Sequence, residues 1–168
     1  MRHRVSSKQP NSRMCLVCGL ENQYGLKASF FELESNRIIS VFDPTESLQG
    51  YPGRLHGGIA TTVLDETIGR AIMISYGSDI WGVTLRLEAK FRCPVPLDQP
   101  IRTVGEIEKE GRRQFTGNGQ ILLADGTVAV EATGKYLKLP IDEITDFNFE
   151  HEQWSVKASD DDPEWFDF

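Results

Sequence analysis

The residues best suited to chemistry lie in LHGGIATTVLDE, residues 55 to 66. His56-Gly57-Gly58 stands where a loop gives way to a helical pattern. The first N–H groups of a helix lack internal partners, and the helix dipole adds partial positive charge there. Glycine lets another molecule approach the backbone closely. Together these features suit the stabilisation of an oxyanion forming on a carbonyl. The plainer alternative is a glycine-rich start to a tightly packed helix. Asp65 shifts the balance, because a carboxylate within a largely apolar helix is costly unless paired or functional. Its own plain alternative is a helix position that faces solvent. Glu66 is the competing carboxylate. Successive helix residues point about 100° apart, so Asp65 and Glu66 are not expected to line one pocket, and one of them is expected to face solvent.

Spacing adds a constraint. Eight residues separate Gly57 from Asp65, which is roughly 12 Å at the rise of an α-helix. A general base must lie roughly 3 Å from the proton it takes. One chain therefore cannot easily bring its own helix N-terminus and its own Asp65 to the same carbonyl. Two antiparallel copies of the helix across a twofold axis would, each Asp65 facing the other chain's Gly57 amide. If both groups act, the active unit is a dimer.

The elements that position these residues follow from periodicity. Apolar residues including Ile59, Val63, Ala71 and Ile72 recur at helical spacing from Gly57 to about Ser75, with Tyr76-Gly77 as a stop. That segment is apolar round most of its circumference, which predicts a buried helix. Upstream, Leu26 to Glu34 and Arg37 to Phe42 flank Ser35-Asn36 and predict a hairpin. Downstream, Thr84, Arg86, Glu88, Lys90 and Arg92 alternate with Leu85, Leu87, Ala89, Phe91 and Cys93, which predicts a half-buried strand. Ile101 to Lys109, Arg113 to Leu123 and Thr127 to Leu139 complete an antiparallel meander, with Asp125-Gly126 as a turn. One buried helix with about five or six antiparallel strands is an α+β plan.

The 168 residues suffice for one domain with a real core, 39% hydrophobic and 26% charged. A formal net charge of −7 speaks against a nucleic-acid partner. No segment has the length and hydropathy of a membrane span, and the basic N-terminus lacks the apolar run of a secretory signal. Residues 1 to 13 read as a mobile basic arm, 14 to 140 as the folded domain, and 141 to 168 as an acidic tail. The tail also carries Trp154, Trp165, Phe166 and Phe168, so part of it is expected to dock. Cys15, Cys18 and Cys93 form no disulfide framework, and a reducing, cytoplasmic setting is expected. Cys15-x-x-Cys18 resembles half a zinc knuckle, but no second Cys pair exists, so no metal is expected and packed thiols are the simpler reading. A redox role lacks the βαβ context it needs.

At this point the sequence resembles the hotdog-fold thioesterases, specifically the PaaI-like branch of the 4-hydroxybenzoyl-CoA thioesterase superfamily. The resemblance covers roughly residues 15 to 139. It rests on the HGG triplet with an acid nine positions after His56, on MCLVCGLENQYGLK and QGYPGRLHGG upstream, and on GVTLRLEAKFRCPVP and ADGTVAVEATGKYLKLP downstream. It implies a long central helix wrapped by an antiparallel sheet, protomers joined into one continuous sheet, and active sites at the subunit interface. Whether dimers pair further into tetramers stays open.

By the same resemblance, the substrate is an acyl-CoA thioester and no cofactor is needed, since CoA is part of the substrate. The Gly57 N–H, beside Gly58, polarises the thioester carbonyl, and the partner's Asp65 activates water or attacks directly. His56 shapes the loop rather than serving as a base. Some relatives place an amide side chain six residues before the His, where this chain has Gly50, so Gln49 is a candidate only if the loop absorbs one residue. Thr84 matches a hydroxyl position used near the attacking water, or is a plain strand Thr. Arg92, Arg112 and Arg113 are candidates for the CoA phosphates, or are solvated strand residues. Two other readings stand beside hydrolysis: a hotdog acyl-thioester dehydratase or hydratase, and a non-catalytic acyl-CoA sensor.

Overall fold

Helix α1 (Gly57–Arg70) is apolar on most sides, and an antiparallel sheet curls round it to bury that surface. The computed structural model describes residues 1–168. Strands β1 (Arg2–Lys8), β2 (Ser29–Leu33), β3 (Arg37–Phe42), β4 (Trp81–Phe91), β5 (Ile101–Glu110), β6 (Gln114–Leu122), β7 (Val128–Leu139) and β8 (Trp165–Asp167) run in the order β4-β7-β6-β5-β3-β2-β1-β8. Every neighbouring pair is antiparallel. No helix is long and apolar enough to cross a membrane.

Ala60, Val63, Leu64 and Ile68 of α1 meet Phe30, Ile38, Phe115, Ile121 and Tyr136 from the sheet in one buried cluster. The approach is close at β6, where a Cβ on Gly117 or Gly119 would lie 2.6 Å or 2.8 Å from the Ile68 side chain. Only glycine leaves room for the helix there. The helical segment is shorter than the periodicity predicts. It pauses at Ala71-Ile72, resumes as the single turn α2 (Met73–Tyr76), and ends where Gly77 turns to a φ of 58°. The expected turns are present: Asn36 takes a φ of 57° between β2 and β3, and Gly126 one of 84° between β6 and β7.

The sheet has eight strands rather than five or six, because both chain ends join it. Residues 1 to 13 are not a mobile arm. Arg2, His3 and Arg4 pair with Asp167, Phe166 and Trp165, while Val5 to Lys8 pair with β2. The reason is complementarity between the ends. Arg2 and Arg4 lie over the Trp165 ring at 4.8 Å and 5.6 Å, and Lys8 Nζ meets Asp162 Oδ1 at 2.6 Å. Phe166 then covers the outer face of the sheet, packing with Phe31, Leu33, Ile39, Val104 and Leu122. Further along the tail, Trp154 packs on Trp81 at 4.7 Å between centroids and donates its indole N–H to Ser78 Oγ at 2.9 Å. The aromatic residues of the tail are the ones that dock.

Strand β4 is the long free edge of the sheet, the three-residue β8 being the other end. A register shift between Thr84 and Arg86 turns Leu85 outward, 50% exposed, while Leu87 and Ala89 beyond it pack on the core as expected and Phe91, at the strand end beside the Gly57 cavity, is 54% exposed. An apolar edge with unpaired backbone groups is a site for joining another strand.

Phe166→Ala removes the cap from the outer cluster. It should cost about 3 kcal/mol and lower the thermal midpoint by roughly 6–12 °C, as followed by circular dichroism. An unchanged midpoint would mean that the tail contributes nothing to the folded domain.

Candidate active site

The start of α1 is built by His56. Its backbone is extended, and its Nδ1 accepts the Gly58 N–H at 2.9 Å, so the imidazole is an N-cap held by the chain. The Gly58 amide is thereby consumed. The Gly57 N–H has no acceptor within the chain. It opens on a cavity of about 590 Å³ lined by Tyr51, Arg54, His56, Phe91 and Arg92, among others. Arg92 reaches this cavity and pairs with Glu131 at 2.5 Å. Arg54 lines it too and was missed in the sequence; its signal was a cation two residues before the capping His. Gln49 folds back on its own loop, its Oε1 accepting the Gly53 N–H at 3.2 Å.

Asp65 lies elsewhere. Its carboxylate accepts the Thr84 hydroxyl, 2.8 Å from Oδ1 and 3.1 Å from Oδ2, and the Tyr136 hydroxyl at 3.1 Å from Oδ1. Tyr136 is fully buried against Phe115, and Gly134 makes room for it, since a Cβ there would lie 2.3 Å from its ring. Burial and the facing Asp65 carboxylate push the Tyr136 phenol well above its ordinary value, so it remains a donor. Sequence reading overlooked this residue. A Tyr two positions after a strand glycine, with its ring in the core, needs a partner for its hydroxyl, and that was the available signal.

The cavity beside Asp65 measures about 270 Å³ and is also lined by Cys15, Cys18, Glu66, Arg70, Trp81, Thr84 and Trp154. Asp65 and Glu66 therefore do line one pocket, against expectation. The turn around Cys15 and the docked Trp154 extend the cavity round the helix far enough to reach both directions. Nor does Glu66 face solvent. It is paired with Arg70 at 2.9 Å and receives the Cys15 thiol at 3.3 Å. Asp65 has only neutral partners, which leaves its charge available.

The candidate residues thus fall into two groups: His56, Gly57 and Arg92 at one cavity, and Asp65 and Thr84 at the other. Arg112 and Arg113 are exposed in the turn between β5 and β6 and line neither. A larger depression of about 720 Å³ on the outer face of the sheet, near Met1 and Phe168, contains none of them.

Comparison with known proteins agrees with this architecture. Residues 52–130 match the family model described as Thioesterase superfamily. The chain is 31% identical over 111 residues to acyl-coenzyme A thioesterase THEM4 of Xenopus laevis, covering 66% of this chain and 49% of that one. It is also 31% identical over 137 residues to THEM4 of Bos taurus, covering 80% of this chain and 55% of the relative. The chain thus spans about half the length of these curated relatives. The crystal structure of a thioesterase superfamily protein superposes with a TM-score of 0.68 at 29% identity, over 74% of this chain and 60% of that one. A hypothetical thioesterase from Streptococcus pneumoniae, solved with coenzyme A, gives a TM-score of 0.56 at 25% identity, over 62% and 82% of the two chains. The fold is the hotdog, an antiparallel sheet wrapped round one central helix. Residues 52–130 place this domain in the thioesterase superfamily, in the hotdog fold.

Tyr136→Phe and Thr84→Val each remove one donor that holds the Asp65 carboxylate. Each should slow turnover by about tenfold, the equivalent of one hydrogen bond, with the circular dichroism spectrum retained. Activity unchanged in both would show that the carboxylate needs no such support.

Proposed function

We propose that the protein hydrolyses an acyl-CoA thioester to the free acid and CoA, at a site shared by two copies of the chain. The observation that carries this reading is the separation of the two halves. The unpaired Gly57 amide and the Asp65 carboxylate open on different cavities of one chain. Strand β4 connects them, with Thr84 at the Asp65 cavity and Phe91 at the Gly57 cavity, and its outer edge is unpaired. Antiparallel pairing of two β4 edges, centred near Leu87, sets Thr84 of one chain beside the Lys90–Phe91 end of the other. Each composite site then combines a Gly57 amide with the partner copy's carboxylate, and the half-exposed Leu85 and Phe91 side chains become covered.

In such a site the Gly57 N–H binds the thioester oxygen and stabilises the oxyanion of the tetrahedral intermediate. Asp65 takes a proton from water as that water attacks the carbonyl carbon, or attacks it directly to give a mixed anhydride that water then opens. In both routes the C–S bond breaks and CoA leaves as a thiolate, stable near neutral pH compared with an alkoxide. Thr84 and Tyr136 orient the carboxylate. Arg54 and Arg92 suit the CoA phosphates from the Gly57 side. Arg112 and Arg113 lie at the same end of the sheet as Thr84, since Lys138 pairs with Gly82 and donates its N–H to the Arg113 carbonyl. They would approach the composite site from the partner chain. The relatives named as acyl-CoA thioesterases and the CoA-bound structural neighbour support this substrate class.

His56 argues against a dehydratase, because its Nδ1 is taken by the Gly58 N–H and the ring serves as the N-cap of α1. The free thiols of Cys15, Cys18 and Cys93 favour a reducing, cytoplasmic setting.

CoA release from a panel of acyl-CoAs, followed with a thiol reagent, tests the activity. Asp65→Asn should lower the rate by at least about a hundredfold, the lower range for a general base. Glu66→Gln should retain most of it, because that charge is spent on Arg70. Binding of acyl-CoA with no release by the wild-type protein would instead identify a sensor.

A further inference from the structure

Residues Cys15, Cys18 and Glu66 form a cluster that hydrolysis does not use. Their ligand-capable atoms all lie within 4.8 Å of one another. The turn carrying the two cysteines aims backbone amides at sulfur: Cys15 Sγ accepts the N–H of Val17 at 3.3 Å and of Cys18 at 3.5 Å. Gly19 permits that tight turn, since a Cβ there would lie 2.3 Å from the Cys15 carbonyl oxygen. Ser12 Oγ sits 3.2 Å from Cys18 Sγ. Two backbone amides thus face the Cys15 sulfur and one hydroxyl faces the Cys18 sulfur.

The third donor comes from the helix, 51 positions away in sequence. Glu66 Oε2 lies 3.3 Å from Cys15 Sγ, while its Oε1 is held by Arg70 Nε at 2.9 Å. Arg70 is itself fixed by the Pro10 carbonyl at 3.0 Å and lies over the rings of Phe30 and Trp154. This is the outer hydrogen bonding that orients a carboxylate ligand. Tetrahedral zinc bonds of roughly 2.0–2.3 Å set neighbouring ligand atoms about 3.3–3.8 Å apart, so the Cys15–Glu66 pair already has that spacing. Two thiolates and a carboxylate beside one guanidinium leave two negative charges in a half-enclosed pocket, which a divalent cation would neutralise. The fourth direction opens on the 270 Å³ cavity that Asp65 also lines.

We propose that Cys15, Cys18 and Glu66 bind one zinc-class divalent ion per chain, with a fourth position open to that cavity. The lack of a second Cys pair, which argued against zinc in the sequence, is offset by a helix carboxylate that only the fold brings near. This proposal does not depend on the acyl-CoA reading.

The test uses the full chain, reduced and stripped of metal, titrated with Co²⁺ as a spectroscopic probe and with Zn²⁺ by calorimetry. The wild-type protein and Cys93→Ser should show a thiolate-to-cobalt charge-transfer band saturating at about one ion per chain. Cys15→Ser and Cys18→Ser should lose it, and Glu66→Gln should bind at least about tenfold more weakly. Zn²⁺ should raise the melting temperature of the wild-type protein, whereas Cys15→Ser should melt cooperatively at a temperature that Zn²⁺ leaves unchanged, so that loss of the band is separated from loss of the fold. The proposal fails if the reduced wild-type protein gives no band, if the band survives in Cys15→Ser or Cys18→Ser, or if mass spectrometry finds Cys15 and Cys18 joined as a disulfide in the Zn²⁺-treated protein.

Discussion

A rigid helix holds an unpaired amide and an available carboxylate roughly 12 Å apart, and neither can move toward the other. The amide is fixed at the first turn because His56 takes the next N–H along. The carboxylate is fixed two turns later by hydroxyls from β4 and β7. Substrate chemistry needs both within hydrogen-bond reach of one thioester. In the proposed dimer a second copy related by a twofold axis meets this constraint, and the open β4 edge is the surface on which it would join.

The remaining structure serves to hold α1 in that position. Glycines in β6 let the sheet close round Ile68, and Gly134 admits the Tyr136 ring beneath Asp65. On the far side, β1 and β8 extend the sheet and cap its outer face with Phe166, and the long edge at β4 is the one that runs past both cavities. Trp154, from the tail, closes one wall of the Asp65 cavity. The acidic segment is thus structural at its aromatic positions, with charged residues exposed between them.

Much of this was legible in the amino-acid sequence. The buried helix, the hairpin at Asn36, the meander with its turn at Gly126 and the strand from Thr84 all follow from periodicity and turn chemistry. The distance between Gly57 and Asp65 follows from the helix itself. What stayed hidden involves contacts between distant segments. Strand β1 is mostly polar and carries little alternation, and β8 has three residues, so neither announces itself without its partner. Tyr136 and Arg54 gain their meaning only from what lies opposite. One of Asp65 and Glu66 was expected to face solvent, and Glu66 is instead paired because Cys15 and Arg70 come from a loop and the next helical turn; local pattern cannot show that a cavity bends round to include it.

Mixing two inactive variants tests the shared site most directly. Asp65→Asn lacks the acid, and Gly57→Val crowds the amide against Phe91. Denatured together and refolded at equal ratio, they should form mixed dimers in which one composite site has both intact groups, so that CoA release recovers to about a quarter of the wild-type rate by random pairing. If the refolded mixture stays as inactive as either variant alone while mixed dimers are present by native mass spectrometry, both groups act within one chain and the account is wrong.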